Sequence, residues 1–202
     1  MVLNDEKYFT LTGSTQPGNN SSYSSDVSET PDNIKINQKA KFEPNVMLYV
    51  AISSKGISEP IVLESGIAVN QEVYIQSCLN RSTIPFINKN YSSGEYLFWP
   101  DKASSHYAKK SIEYLTEKNI EFVPKTRNPT NLPQCRPIED FFGYLSGLVY
   151  NGNWQAENVS QLSRRIKKCI REIPQEYYQT LFSDARRKLR LCYEKGPFEV
   201  AH

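Results

Sequence analysis

Histidine is scarce in this chain: His106 and His202 are its only two among 202 residues. Its four cysteines, Cys78, Cys135, Cys169 and Cys192, form no C-x-x-C pair. Both facts argue against a zinc site or a thiol redox motif. The cysteines sit in apolar stretches and read as buried free thiols of a reducing compartment. An excess of one charge is missing too. With 24 Lys and Arg against 22 Asp and Glu, the net charge of +2 does not by itself mark a nucleic-acid binder. No apolar run approaches the roughly 18 residues of a membrane helix, and MVLNDEKYF lacks the apolar stretch of a signal peptide. The expectation is an intracellular protein with no membrane partner. The five N-x-S/T sequons, at Asn19, Asn20, Asn80, Asn90 and Asn158, are then what a Ser- and Asn-rich chain produces by chance.

What remains is the composition of one soluble domain, 39% hydrophobic and 12% aromatic, long enough to bury a core. Residues 13–45 are rich in Ser, Asn, Pro, Asp and Lys without a period of 2 or 3.6, and read as a long polar insertion, functional or disordered. Apolar runs of strand length follow at 46–53, 60–65, 96–100 and 120–124. Before them, VLN at 2–4 and KYFTLT at 7–12 suggest the stub of a first strand that continues or turns back. Helical patterns cover 70–87 and 104–119. In the second, Ser104 is the expected N-cap, with Tyr107, Ala108, Ile112 and Leu115 on one stripe.

From about residue 137 only helices are expected. One buries Val159, Leu162, Ile166, Cys169, Ile170 and Ile173. Another starts at Pro174, runs along Tyr177, Tyr178, Leu181, Phe182, Ala185, Leu189 and Cys192, and stops at Gly196-Pro197. Strands first, then alternation, then helices predict an α/β fold with a mixed sheet flanked by helices, core 1–150 and a basic helical extension 151–202 of the same domain. The extension carries +4 and residues 1–150 carry −2. Its basic helices either lie along a phosphate backbone or simply present a solvated face.

Three carboxylates fall at element ends: Asp5 at the end of the short first strand, Asp101 directly after YLFWP, and Glu139 at a helix start after Pro137. A hard divalent cation takes oxygen ligands at about 2.1 Å and keeps several waters. Two such ions about 3.5–4 Å apart activate a hydroxyl and stabilise a leaving oxygen in phosphoryl transfer. Spacing alone equally allows a helix-capping Glu139 and two solvated aspartates.

Three stretches, LNDEKYF at 3–9, FWPDKASSHYAK at 98–109 and NPTNLPQCRPIEDFFGYL at 128–145, resemble the acidic signatures of the catalytic (DDE/D) domain of mariner-like transposases, the Tc-one/mariner superfamily. The likeness covers nearly the whole chain in the right order, with 95 residues between Asp5 and Asp101 and 37 between Asp101 and Glu139. The first acid precedes Glu6, Lys7 and Tyr8. The second is trailed by His106. The third stands in the frame of Pro133, Pro137 and Ile138.

The resemblance implies a ribonuclease-H-like fold and a DNA transposase and endonuclease acting in the nucleus after synthesis in the cytoplasm. Asp5, Asp101 and Glu139 would be its catalytic and metal-binding residues, with two Mg²⁺ or Mn²⁺ ions and no small-molecule cofactor. Water would cleave transposon ends and a 3′ hydroxyl would attack target DNA. Double-stranded DNA is the implied partner, a homodimer is allowed, and the polar insertion corresponds to one that reaches the partner subunit in relatives. Nucleic-acid contacts are expected at Lys102, His106, Lys125 and Arg127. His106 could instead orient a carboxylate or cap its helix, and Lys125 and Arg127 could sit on a solvated loop. Phe98 and Trp99 are expected in the sheet core rather than stacking on bases.

The chain departs from the family's pattern at three places. Lys102 stands where Asn is usual, and its ammonium could contact phosphate or compete with metal for Asp101. Phe142 replaces a Trp. Asp140 adjoins Glu139, but helix neighbours point about 100° apart, so only one can face the metals. Only four residues precede Asp5, so the family's N-terminal helix-turn-helix modules are expected to be missing. The expectation is a fragment, a truncated gene model, or a remnant acting as a non-catalytic nucleic-acid- or partner-binding module.

Overall fold

The computed structural model describes residues 1–13, 43–64, 69–129 and 133–196. Residues 14–42 of the expected insertion lie outside them, as does Pro197 of the expected helix stop. Five strands form one mixed sheet: β1 (Val2–Thr10), β2 (Asn45–Ser53), β3 (Gly56–Ile57), β4 (Ile61–Glu64) and β5 (Phe98–Trp99). β1 lies between antiparallel β2 and parallel β5, while β3 and β4 both pair with β2. One continuous helical run comprises α1 (Gln71–Val73), a π-helical stretch Tyr74–Thr83 and α2 (Ile84–Asn90). Then come α3 (Lys109–Glu117), α4 (Pro137–Val149), α5 (Val159–Glu172) and α6 (Gln175–Lys195).

β2 is buried at every position after Asn45, which explains its unbroken apolar run NVMLYVAIS: both of its faces are covered. Side chains alternate between the faces of a strand. Val46, Leu48, Val50 and Ile52 of β2 therefore join Leu3 and Phe9 of β1 in one core with α4, α5 and α6. Tyr49 and Ala51 join Val2 in a second core with the π-helical stretch, α2 and Leu115 of α3. Leu162, Ile166 and Ile170 of α5 and Tyr178 and Phe182 of α6 thus pack in the same cluster as the sheet. Among the described residues no helix is long and apolar enough to cross a membrane.

Four expectations need correction. The first strand is no stub, and of its two readings the continuing one holds: β1 runs nine residues, because full pairing with β2 carries it through the polar positions 4–7. Asp5 therefore lies mid-strand. The run 120–124 makes only an isolated bridge, Phe98 to Phe122. The helix expected over 104–119 begins at Lys109 with Ala108 as N-cap, not Ser104. Its first residues form a turn instead, closed by His106 N–H donating to the Ala103 carbonyl (3.1 Å) and by Ser111 Oγ donating to the Ser105 carbonyl (2.7 Å). Ile112 of the expected stripe is 36% exposed. Pro174 is the N-cap of α6, and Asn158 caps α5 by accepting from Gln161 N–H (2.9 Å).

Candidate metal centre

Val2 stands opposite Phe98 and Leu3 opposite Trp99 in the parallel pair β1–β5. Continued by two residues, that register sets Asp5 beside Asp101. β5 ends at Trp99, and the next residue, Pro100, has no N–H to continue the ladder. The chain leaves the sheet there, and β1 goes on paired only with β2. This is the carboxyl end of a parallel strand, where α/β sheets expose a crevice.

Asp5, with Leu3 and Phe9, faces the α4 side of the sheet. Glu6 faces the side of Tyr74 and His106. Where β5 stops, the two sides meet at an open edge: one carboxylate oxygen each from Asp5, Glu6 and Asp101 lie within 4.8 Å of one another.

The loop after β5 is held by buried polar contacts. Asn128 Oδ1 accepts from Trp99 Nε1 (2.7 Å), while its Nδ2 donates to the Pro100 carbonyl (2.8 Å) and to the Tyr107 hydroxyl (2.8 Å). Tyr107 in turn donates to the Val123 carbonyl (2.8 Å). Ala103 N–H donates to Asp101 Oδ1 (3.0 Å), and His106 Nδ1 closes on the same carboxylate. The His106 ring stacks on Tyr74 at 4.0 Å between centroids and sets Nε2 3.2 Å from Glu6 Oε1. Behind it, Asn4 Nδ2 donates to the Tyr49 and Tyr74 hydroxyls (3.0 and 3.3 Å), and Tyr49 is 2.6 Å from Thr83 Oγ1. These tyrosines belong to β2 and the π-helical stretch, so the site is braced from the second core.

Burial, together with the Asp101 charge, pushes the Asp5 carboxyl up to about 7. Asp101 goes the other way. Burial would raise it, but the His106 contact, Ala103 N–H and the Arg136 guanidinium hold it below its usual value. Burial would lower His106, yet Asp101 and Glu6 lift it to about 9, so the ring is a cation between two carboxylates. Arg136 is a second cation beside the site; its guanidinium lies 5.5 Å over Trp99 and its Nη2 donates to the Asn4 carbonyl (3.4 Å). Asp5 is elevated mainly because it is buried, and the Asp101, Glu6 and Glu139 charges add to that. Three convergent carboxylate oxygens fit a divalent cation.

The sequence-predicted residues divide accordingly. Asp5 and Asp101 come together. Glu139 sits exposed in the first turn of α4; its charge contributes to the raised Asp5, but its carboxylate is outside the tight group. Asp140 is drawn away toward α6, where Lys188 Nζ lies 3.6 Å from it. His106, grouped with the nucleic-acid contacts on sequence, is 1% exposed and is an internal partner of two carboxylates rather than a surface contact. Lys102 is half-buried, and Lys125 and Arg127 are exposed on the loop that Asn128 anchors. Trp99 and Phe98 are sheet core. Glu6, Asn128 and Arg136 were missed: each lies inside a recognised motif but is marked by no spacing rule.

A mixed sheet flanked by helices, with acids gathered at a parallel strand end, has the ribonuclease-H-like fold. The chain is 25% identical over 181 residues to the Tc3 transposase of Caenorhabditis elegans, an alignment covering 90% of this chain and 51% of that protein. It superposes on the Mos1 mariner paired-end complex with Mn at a TM-score of 0.76 with 17% identity, covering 97% of this chain and 55% of that one. On the catalytic domain of Mos1 mariner transposase the TM-score is 0.67 with 16% identity, covering 97% and 81%. No protein-family model matches. The resemblance to mariner-like transposases thus holds in sequence and in fold: this chain has the fold of a mariner transposase catalytic domain, and it spans about half the length of Tc3 transposase and of the Mos1 chain in the paired-end complex.

Proposed function

We propose that this chain is the catalytic domain of a DDE-type DNA transposase, cleaving DNA strands and transferring them by divalent-metal phosphoryl transfer in the nucleus. The observation that carries the reading is the meeting of Asp5, Glu6 and Asp101 at the point where β5 leaves β1. The comparison structures include Mos1 paired-end complexes with Mn and with Mg, which supports transposon ends as substrate and either metal as cofactor.

Asp5 and Asp101 would hold the metal. Glu139, on the first turn of α4 with its charge acting on Asp5, would complete the set of three, and Glu6 lies close enough to share it. Two bound ions would supply an activated hydroxyl and charge stabilisation at the leaving oxygen. The chain's own part is positional. Asn128 fixes the loop that presents Asp101, and His106 aligns the Asp101 and Glu6 carboxylates. Lys102, directly after Asp101, and Lys125 and Arg127, exposed on the loop that Asn128 anchors, would contact the phosphate backbone.

A second reading, a non-catalytic DNA- or partner-binding domain, draws on one observation: Glu139 stands outside the tight acid group. Titrating Mn²⁺ while following thermal unfolding separates the two. Convergent carboxylates gain stability by mass action, about 2.7 kcal/mol at a metal concentration of 100 Kd. The catalytic reading expects that gain together with metal-dependent nicking of duplex DNA, and expects Asp101→Asn to lose both. Nicking that survives in purified Asp101→Asn protein refutes the assignment.

A further inference from the structure

At the sheet edge opposite β5, a cleft of about 540 Å³ lies between the β2–β3 turn, the helical run and the α5–α6 junction. Its rim carries four cations from separate places in the chain: Lys55 in the turn, Arg81 in the π-helical stretch, Lys89 in α2 and Arg171 in α5. All four are exposed, and among the described residues none forms a salt bridge. Glu59, the sole carboxylate in the wall, pairs with none of them. Phe86, Ile170 and Ile173 are largely buried parts of the wall, and the charged groups of the lining are four cations against one carboxylate.

Two further features favour an anion. The 21-residue helix α6 begins at this cleft with no side-chain cap on its first N–H groups, and the positive end of its dipole faces the rim, with Glu176 of its first turn outside the wall. Its Gln175 side chain is occupied elsewhere, donating to the Ser54 carbonyl (2.9 Å), which ties the helix start to the turn that carries Lys55. Tyr178, one turn on, also forms part of the wall, and its buried hydroxyl has no hydrogen-bond partner.

The cleft is separate from the metal centre. The order β3-β2-β1-β5 puts two strand spacings between β3 and β1, and the register Asp5 to Val50 puts the acids several residues from the turn. At strand spacings of about 4.8 Å and about 3.4 Å per residue, the distance between the two is on the order of 15–20 Å.

We propose that this cleft seats a phosphodiester backbone, a second contact for duplex DNA remote from the acids. Spread-out cations on several elements suit a backbone whose phosphates repeat along a strand better than a single compact anion. The inference rests on the reading of the chain as a DNA-processing domain, and its test separates the two.

The measurement is fluorescence anisotropy of a labelled duplex in EDTA, at salt concentrations from about 50 to about 200 mM. Lys89→Ala/Arg171→Ala is compared with wild type, with the charge-keeping Lys89→Arg/Arg171→Lys, and with Lys109→Ala/Lys118→Ala at the two ends of α3, outside the cleft wall. The cleft variant is expected to flatten the slope of log affinity on log salt by about 2, losing roughly tenfold or more in affinity, while the other two match wild type. All four residues changed in the cleft and control variants are exposed, and equal melting temperatures verify the fold. If the cleft variant binds like wild type while Asp101→Asn abolishes nicking, the cleft proposal is overturned and the catalytic reading stands. If the cleft variant loses binding but wild type never nicks, the reverse holds. Polyglutamate competing as well as an oligonucleotide of equal charge would overturn DNA in favour of an acidic protein partner, and absence of duplex binding overturns the proposal outright.

Discussion

Replacing Asp5 by Asn tests the electrostatic account of the site most directly, because the expected sign is unusual: loss of a site residue stabilises the metal-free protein. Asn keeps the shape and can still accept the Glu6 N–H that Asp5 Oδ1 accepts at 2.8 Å. Only the charge goes. The Asp5 carboxyl is lifted from 3.8 to about 7, first by burial and then by Asp101. Three units at about 1.4 kcal/mol each give a ceiling of about 4 kcal/mol for the fully ionised group. Partial exposure and sharing of the repulsion with Asp101 reduce this to about 2 kcal/mol.

An acid whose folded pKa exceeds its unfolded one destabilises progressively as pH rises from about 3.8 to about 7, and by a constant amount above that. The advantage of Asp5→Asn should therefore grow between pH 4 and pH 7 and level off by pH 8. There it reads as a rise in melting temperature of roughly 4–8 °C, for a domain of this size. The assay is thermal or urea unfolding in EDTA across that range, repeated with Mn²⁺. Metal should reverse the order, since wild type gains from binding and the variant gains less. A variant less stable than wild type at pH 8, or an advantage that ignores pH, would mean that Asp5 is not held against a repulsive field.

Four other outcomes follow from the same geometry. His106 is raised from 6.5 to about 9, so the stability it contributes is fully present below pH 6.5 and lost as pH climbs through 9; the gap between wild type and His106→Asn in unfolding experiments should narrow over that window. Asn128→Leu leaves Trp99 Nε1, the Pro100 carbonyl and the Tyr107 hydroxyl short of partners, costing about 2–4 kcal/mol by urea unfolding and weakening the Mn²⁺-dependent gain in stability. Asp140→Asn loses an ion pair with Lys188 on the protein surface, worth under about 1 kcal/mol, and should leave nicking intact, whereas Glu139→Gln should abolish it. Gly13 has a φ of +64°, and a Cβ there would meet the Tyr150 ring at 2.5 Å, so Gly13→Ala should lower stability by roughly 1–3 kcal/mol in a thermal melt.

Part of this protein was written locally. The apolar run of β2, the stripes of α5 and α6, the Asn158 sequence that caps α5 and the three acidic motifs in order are patterns within a few residues of one another, and each fixes an element or a resemblance without knowledge of the rest. Other features were decided by partners far along the chain. β1 is nine residues long because β2 pairs with all of it, which no local propensity at 4–7 announces. Strand 96–100 shrinks to Phe98–Trp99 because Pro100 ends the ladder, and that ending, in register with β1, is what sets Asp101 beside Asp5. His106 became an internal cation because the turn at 103–106 folds it under Tyr74, between carboxylates five and one hundred residues away. The four cations of the cleft are unremarkable singly and share a rim only after the turn, the helical run and α5 pack together. Sequence periodicity reports which face of an element is apolar; the convergence of charges from separate elements depends on pairing register and packing, and these exist only in the folded chain.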